Sequence, residues 1–325
     1  MIFTVRTHFR LSRCLVRIIF VVFFLQKAID NHAQVPMVTV AADGSGNFTS
    51  VQAAVNSLPD HAQGKLVVYI KNGTYYEKVH IPSWKTNVVL IGEDKHTTII
   101  SWNDHAGKGN INTFTSYTVL VQGNGFVAEN LTIENSAGKD AGQAVALHVE
   151  ADRCVIKNCR IVGNQDTLYA GVDNSRQYYK NCYIEGTTDF IFGPATAVFE
   201  NCTIYCKKNS YITAASTPQH QPHGMVFFYC SITVAENVQG VYLGRPWRPY
   251  AKTVFVECEL HERIRPEGWH NWNKPDAERT VFYAEYKSTG KGANPEKRVT
   301  WSRQLTDAER KEYTVEKIFG NWKPY

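Results

Sequence analysis

The sequence lacks any apolar run long enough to cross a membrane. The hydrophobic stretch near its start, "IIFVVFFL" at 18–25, is far shorter than the roughly 20 residues that a membrane-spanning helix needs. Residues 1–17 contain four arginines and no acid, and the small residues Ala28 and Ala33 follow the run. This order predicts a secretory signal peptide at 1–33, followed by a single mature domain at 34–325.

The mature chain also lacks a net charge of any size. Residues 1–33 contain five basic residues and one acid, so the formal charge of +5 falls to about +1 when they are removed. Bulk charge therefore gives no support for a nucleic-acid partner, and no membrane contact is predicted after signal removal. Attraction to a polyanion has to come from local patches.

Metal-ligand patterns are absent, and the cysteines do not pair evenly. No cluster of His, Cys, Asp or Glu has the spacing of a metal site, so no metal and no cofactor are predicted. Eight cysteines become seven without Cys14, which implies a free thiol or an intermolecular bond in an oxidising compartment. Sequons at Asn47, Asn72, Asn130 and Asn201 agree with a secreted glycoprotein.

Helical patterns are missing from the middle of the chain, where a strand-like motif recurs six times. Gaps of 28, 23, 20, 28 and 28 residues separate the central positions of its copies. This period favours a solenoid of β-coils, although a β-sandwich also contains short strands at close spacing. The recurrence of Cys or Leu at one phase favours an inward stack, and so an all-β, right-handed parallel β-helix. The central residues are Leu131, Cys159, Cys182, Cys202, Cys230 and Cys258.

Short helical patterns near both ends predict caps for the solenoid. Residues 48–60 have apolar side chains at helical spacing, with Thr49 and Gln52 as a capping-box pair and Pro59 ending the run. Residues 306–320 also have a helical pattern. No linker or second domain is predicted between them.

Polar residues suited to catalysis recur at nearly one phase of the coil. Gln143, Asp166, Asp189 and Arg245 lie 13 to 16 residues before the central cysteines of their copies. Stacked strands lie about 4.8 Å apart, so the two aspartates are expected about one strand spacing apart. Two such carboxyls cannot both ionise freely. Together with Gln165, these residues supply a nucleophile, a general acid and an oxyanion site for acyl transfer.

Five motifs stand in a fixed order from about Val38 to the C-terminus. They are "GTYYE" (73–77), "QAVAL" (143–147), "QDTLY" (165–169), "DFIFG" (189–193) and "LGRPW" (243–247). In this order they resemble the plant pectin methylesterase (pectinesterase) family. The resemblance implies a right-handed parallel β-helix that hydrolyses galacturonate methyl esters in pectin without a metal or cofactor. No inhibitor-like pro-domain is expected before the catalytic part.

The resemblance also implies roles for individual residues. Asp189 is the implied nucleophile and Asp166 the implied proton donor. Gln143 and Gln165 are the implied stabilisers of the oxyanion, and Arg245 is expected to keep the nucleophile anionic. The implied substrate contacts are Thr113, Gln143, Arg245, Trp247 and Trp269.

Two cysteines are expected to form a disulfide. Cys182 and Cys202 hold the same repeat phase in adjacent coils, and one strand spacing lies within the roughly 4.4–6.8 Å between Cα atoms that a disulfide tolerates. The family resemblance implies the same pair. The stack also permits a second bond between Cys230 and Cys258.

Two other functions remain open at this point. One is a glycoside hydrolase or lyase on the same polysaccharide, because β-helices host both and paired acids also cleave glycosidic bonds. The other is a non-catalytic wall-binding protein. The resemblance favours an esterase that acts as a secreted monomer in the cell wall, with methyl-esterified pectin as substrate and a proteinaceous inhibitor as a further partner.

Overall fold

The strands of the chain stack into three sheets in which the pairing is parallel. The computed structural model describes residue 1 and residues 37–324, so the predicted signal peptide lies outside the described residues. Successive strands pass from sheet A to sheet B to sheet C and back to sheet A one turn later. This confirms the parallel β-helix predicted from the repeat.

The three sheets differ in the number of strands that the described chain gives them. Sheet A contains eleven strands: β1 (Met37–Val40), β2 (Leu66–Ile70), β5 (Val88–Gly92), β8 (Val127–Glu129), β11 (Cys154–Lys157), β14 (Arg176–Lys180), β17 (Thr196–Glu200), β20 (Met225–Phe228), β23 (Lys252–Val256), β25 (Phe282–Tyr286) and β26 (Arg303–Gln304). Sheet B contains eight: β3 (Gly73–Tyr76), β6 (Thr98–Trp102), β9 (Thr132–Asn135), β12 (Arg160–Val162), β15 (Tyr183–Gly186), β18 (Thr203–Cys206), β21 (Ser231–Val234) and β24 (Glu259–Leu260). Sheet C contains seven: β4 (Val79–Ile81), β7 (Val119–Val121), β10 (Leu147–Val149), β13 (Leu168–Ala170), β16 (Ile191–Gly193), β19 (Tyr211–Ala215) and β22 (Tyr242–Gly244).

The interior of the coil is a stack of like side chains. All six central residues of the repeat are buried, as an inward stack requires. Beside them, aromatic rings from sheet A lie nearly parallel, with centroid separations of 4.7, 4.5 and 4.4 Å along the series. Each turn therefore buries its apolar face against its neighbours, as solenoid repeats must. The stacked rings are Tyr179, Phe199, Phe227 and Phe255.

An asparagine precedes the central residue in four of the turns, at the corner between sheets A and B. Asn130, Asn158, Asn181 and Asn201 all have positive φ, between 51° and 56°. Asparagine tolerates this left-handed conformation better than most residues with a side chain. The corner geometry thus accounts for the repeated asparagine of the motif.

The structure contradicts the predicted disulfide between Cys182 and Cys202. Both are buried free thiols, as are the other five described cysteines. The Cys182 thiol donates to the carbonyl oxygens of Ile156 and Lys180, each at 3.4 Å. Inward stacking was predicted correctly, but the Cys182 sulfur is directed at backbone carbonyls and forms no bond to Cys202.

The N-terminal cap is a short helix, α1 (Val51–Ser57). Its N-cap is Ser50, so the predicted capping pair of Thr49 and Gln52 was wrong. The carboxylate of Glu77 accepts hydrogen bonds from the Ser50 hydroxyl and from the first two backbone N–H groups of the helix. A side chain distant in sequence therefore caps the helix, which a local pattern could not reveal.

The C-terminal helical pattern becomes two short helices, α2 (Asp307–Arg310) and α3 (Val315–Phe319). Thr306 and Glu309 form a capping box at the start of α2. The apolar side chains of α3 pack with outward-facing residues of sheet A. Within the described residues, no helix combines the length and apolar character needed to cross a bilayer.

Candidate active site

A cleft of about 250 Å³ opens where strands of sheet B pass into strands of sheet C. Seven of the eight residues that the sequence predicted as catalytic or substrate-binding groups line this cleft. Phe114, Phe192, Ala214 and Trp272 complete its wall. The predicted residues in the cleft are Thr113, Gln143, Gln165, Asp166, Asp189, Arg245 and Trp247.

Asp166 and Asp189 occupy equivalent positions on successive turns. The register pairs Leu168 with Ile191, an offset of 23 residues that also aligns the two aspartates. The backbone N–H of Asp166 donates to the Thr188 carbonyl at 3.1 Å. Their exposed fractions are only 9% and 6%. Two carboxyl groups therefore lie side by side in a largely dry setting, as the 23-residue separation predicted.

Arg245 holds the Asp189 carboxylate through two hydrogen bonds. Its Nε donates to Oδ1 at 2.9 Å, and its Nη2 donates to Oδ2 at 2.6 Å. The guanidinium carbon also lies 3.9 Å from the ring centroid of Tyr211 and 3.6 Å from that of Trp272. A planar, two-pronged donor held against aromatic rings fixes the direction of the carboxylate as well as its charge.

The two carboxyl groups differ in protonation. Burial, followed by the charge of Asp189, raises the pKa of Asp166 to about 8. The Asp166 carboxyl has no hydrogen-bond partner among residues 37–324. Burial also raises the pKa of Asp189, but the hydrogen bonds and charge of Arg245 oppose that effect. Asp166 therefore retains its proton at neutral pH, whereas the hydrogen bonds and charge of Arg245 favour the anionic form of Asp189.

Two glutamines provide neutral donors at the same edge of the cleft. Gln143 and Gln165 form an isolated parallel bridge, and the Ala144 N–H donates to the Gln165 carbonyl at 3.1 Å. Neither side-chain amide has a partner within the described range, so both are available to a bound oxyanion. Gln143 therefore pairs one residue earlier than expected, with Gln165 instead of Asp166.

The prediction that Trp269 contacts substrate was wrong. Its side chain is 1% exposed and lies inside the coil. The ring stacks on Tyr283 with a centroid separation of 4.4 Å and lies 5.9 Å from Phe255. Trp272, three residues later, lines the cleft instead. The backbone of Trp269 forms a parallel bridge with Gly244.

Phe114 is a wall residue that the sequence argument missed. It lies in a single 3-10 turn at Thr113–Thr115, where Asn112 and Thr115 form a capping box. Its ring is 42% exposed and lies 5.2 Å from the Tyr169 ring and 6.5 Å from the Trp247 ring. The turn stands outside the repeat, so periodicity gave no signal, although the capping pattern at 112–115 marks an ordered loop.

The comparisons with known proteins agree with this geometry. The family model described as Pectinesterase matches residues 37–321. The chain belongs to the pectinesterase family. It is 42% identical to pectinesterase 31 of Arabidopsis thaliana over 283 residues, which cover 84% of this chain and 89% of the relative.

Solved structures of the family share the same coil. The pectin methylesterase from carrot superposes with a TM-score of 0.84 at 36% identity, covering 88% of this chain and 94% of that one. A pectin methylesterase in complex with a hexasaccharide superposes with a TM-score of 0.78 at 30% identity, covering 90% and 99%.

Several relatives in the family are longer. The pectinesterase/pectinesterase inhibitor PPE8B of Prunus persica is 42% identical over 303 residues, which cover 88% of this chain and 58% of the relative. The chain spans about half the length of several further relatives with such joint names.

Proposed function

We propose that this protein hydrolyses the methyl esters of galacturonate units in pectin, releasing methanol and leaving acidic pectin. The observation that carries the proposal is the pair of carboxyls with divided protonation. Asp189 is held as an anion by the two hydrogen bonds from Arg245, and Asp166 beside it has a pKa raised to about 8. A nucleophile and a proton donor thus stand next to two free amide donors.

In the first half of the reaction, an Asp189 oxygen attacks the carbonyl carbon of the ester. The carbonyl electron pair moves to its oxygen, where the amides of Gln143 and Gln165 donate to the developing charge. The bond from carbon to the methoxy oxygen then breaks. That oxygen takes the proton of Asp166 and leaves as methanol, so the galacturonyl group remains joined to Asp189 as an anhydride.

In the second half, water hydrolyses the anhydride. Asp166, now a carboxylate, takes a proton from the attacking water. The bond between the galacturonyl carbon and the Asp189 oxygen breaks, which restores the carboxylate that Arg245 holds. Asp166 ends the cycle protonated, and the product leaves as the galacturonate acid, which ionises in water.

The aromatic wall supports a sugar polymer as the substrate. Trp247, Trp272 and Phe114 offer flat apolar faces beside the carboxyl pair, and sugar rings present apolar C–H faces of similar width. The proposal includes contacts to the substrate from these three aromatic residues and from Thr113. A similar pectin methylesterase has been solved in complex with a hexasaccharide, which is consistent with a groove that binds a polymer.

The proposal extends to the setting in which the enzyme works. We infer that residues 1–33 direct secretion and that residues 34–325 act in the cell wall. The proposal includes a proteinaceous inhibitor as a partner, because several relatives have the word inhibitor in their names. Methanol release would be accompanied by a falling pH, because every hydrolysed ester leaves a carboxylic acid.

A glycoside hydrolase or lyase is the rival, because paired carboxylates also cleave glycosidic bonds. The two amide donors favour the esterase, since an acyl oxyanion needs them. The test uses purified secreted protein and highly methyl-esterified pectin, with methanol and new chain ends measured in one reaction. We expect methanol without new ends. New reducing or unsaturated ends without methanol would refute the proposal, and neither product would favour a non-catalytic wall protein.

A further inference from the structure

A buried histidine stands behind the aromatic wall of the cleft. His148 is 2% exposed, and the register of sheet C places it beside Tyr169 of the next turn. Its ring meets the Tyr169 ring edge-on, with a centroid separation of 4.7 Å and an angle of 89°. The Phe114 ring, which lines the cleft, lies 6.2 Å from the His148 ring. His148 therefore meets the lining of the cleft through an aromatic contact.

A chain of hydrogen bonds fixes the direction of this ring. The Nε2 atom of His148 lies 2.9 Å from Oε1 of Glu150, and the Gln122 amide donates to Oε2 of Glu150 at the same distance. The bond from His148 is the first cause that lowers the pKa of Glu150 to about 2, so this carboxyl is an anion that only accepts hydrogen bonds. The histidine Nε2 must then donate, which gives the ring one orientation.

The oriented ring supports a part of the wall that leaves the coil. Phe114 lies in the turn at Thr113–Thr115, outside the repeat, and its ring is 5.2 Å from the Tyr169 ring. Tyr169 in turn packs 4.8 Å from Phe192, another residue of the lining. Displacing the His148 ring would therefore loosen the support of both lining rings.

Packing alone does not require a histidine at this position. The equivalent residues on the neighbouring turns are Leu120 and Tyr169. An apolar side chain could fill the space, and a buried polar group costs free energy unless it is hydrogen-bonded. The histidine adds a fixed orientation, because its bond to Glu150 sets the plane of the ring.

We propose that His148 is a positioning residue for pectin binding. Its bond to Glu150 orients the ring, and the ring holds Phe114 and Tyr169 in place at the cleft. This inference rests on the proposed function, because it names the residue that places the aromatic wall for the polymer. The nucleophile is held separately, by the two hydrogen bonds from Arg245. Changes at His148 should therefore weaken binding and leave the reaction step nearly intact.

A double-mutant cycle tests this role. His148→Phe keeps a ring and loses the hydrogen bond, and Glu150→Ala removes the acceptor. On methyl-esterified pectin, each should raise KM about fivefold, the worth of one aromatic contact, with kcat within about twofold. The combined variant should also raise KM about fivefold, because both changes break the same bond. A combined effect of about 25-fold, an unchanged KM, or a loss of kcat alone would overturn the inference.

Two further variants keep the test decisive. His223→Phe is the matched control, because that ring lies 5.5 Å from Tyr313 in the apolar cluster on the outer face of sheet A. It should leave KM unchanged. If His148→Phe or Glu150→Ala fails to fold, Gln122→Ala removes the amide that donates to Glu150 and should raise KM about threefold. A KM equal to that of the control would then overturn the inference.

A binding measurement separates this inference from the esterase proposal. An unesterified galacturonate hexamer has no ester to hydrolyse, so calorimetry on the intact protein reports affinity alone. His148→Phe and Glu150→Ala should each weaken its binding about fivefold. Charge alone predicts the opposite for Glu150→Ala, because the loss of an anion favours an anionic ligand.

The two proposals fail in different ways. Weaker hexamer binding by the variants, without methanol release from the unaltered protein, would refute the esterase and support the positioning role. Methanol release by the unaltered protein, with hexamer binding unchanged in the variants, would refute the positioning role alone.

Discussion

Asp166 and Asp189 both have left-handed backbone conformations, with φ of 63° and 50°, at equivalent positions of successive turns. Aspartate and asparagine tolerate this region better than other residues with side chains. The two positions therefore combine a backbone requirement with a chemical one. Substitution by asparagine keeps the first and removes the second, which makes it the informative change at each site.

Asp189→Asn should reduce methanol release at least a hundredfold, because an amide cannot attack the ester. The thermal unfolding midpoint should change little, since asparagine keeps both shape and left-handed backbone. Asp189→Ala is the matched comparison: it should be equally inactive and less stable. A purified asparagine variant with a tenth of normal activity would exclude Asp189 as the nucleophile.

Activity should fall as the pH rises through about 8, because Asp166 then loses the proton it donates. Burial is the main cause of that raised pKa, with the charge of Asp189 second. Initial rates of methanol release across the pH range measure the effect. A rate that stays level to well above this pH would show that Asp166 is not the proton donor.

Asp166→Asn should be more stable than the unaltered protein near pH 8, although inactive. The folded-state pKa of Asp166 lies above its ordinary value of 3.8, so the folded state binds more protons between these values. Stability from this group is therefore present at low pH and lost as the pH rises toward 8. Calorimetry near pH 4 and near pH 8 checks the sign: the advantage of the variant should appear only at the higher pH.

Arg245→Lys should lose most activity although the charge is kept. An ammonium cannot make two parallel bonds to Asp189 or stack its flat face on Trp272 and Tyr211. We expect kcat to fall at least tenfold. Arg176→Lys, which alters a similar contact to Asp152 away from the cleft, is the control. Equal effects of the two substitutions would reduce Arg245 to a structural role.

Arg298→Ala should destabilise the C-terminal end of the coil. Arg298 and Glu285 form an ion pair at 2.6 Å, with both side chains only 3% exposed. Removing one partner leaves a buried charge, at a cost of about 3–5 kcal/mol in unfolding free energy. Arg298→Met combined with Glu285→Leu should recover much of the loss in denaturant titrations. A double variant as unstable as Arg298→Ala would contradict this account.

The sequence predicted the coil and the carboxyl pair because both depend on repeat length alone. The connection between β16 and β17 contains two residues, so distances counted back from Cys202 locate Asp189 correctly. The connection between β22 and β23 contains residues 245–251, and the same count from Cys258 misplaces Arg245. The structure aligns Arg245 with Ala214 and not with the position of Asp189.

Side-chain direction outside the strands was beyond the reach of the sequence. Trp269 and Trp272 stand in the same irregular stretch, and both are plausible groove residues by composition. In the structure, Trp269 forms a backbone bridge to Gly244 and is buried, whereas Trp272 has a φ of 58° and lines the cleft.

The unequal length of the coils has a consequence for how such an enzyme can diversify. Cys182 and Cys202 are 20 residues apart and Cys202 and Cys230 are 28 apart, yet the stacked rings keep separations of 4.7 and 4.5 Å. The additional residues lie at 216–224, between β19 and β20. The stacking of the turns therefore does not depend on the length of the connections on that side, and loops there tolerate insertions. A longer connection at 216–224 should therefore leave the thermal unfolding midpoint of the coil nearly unchanged.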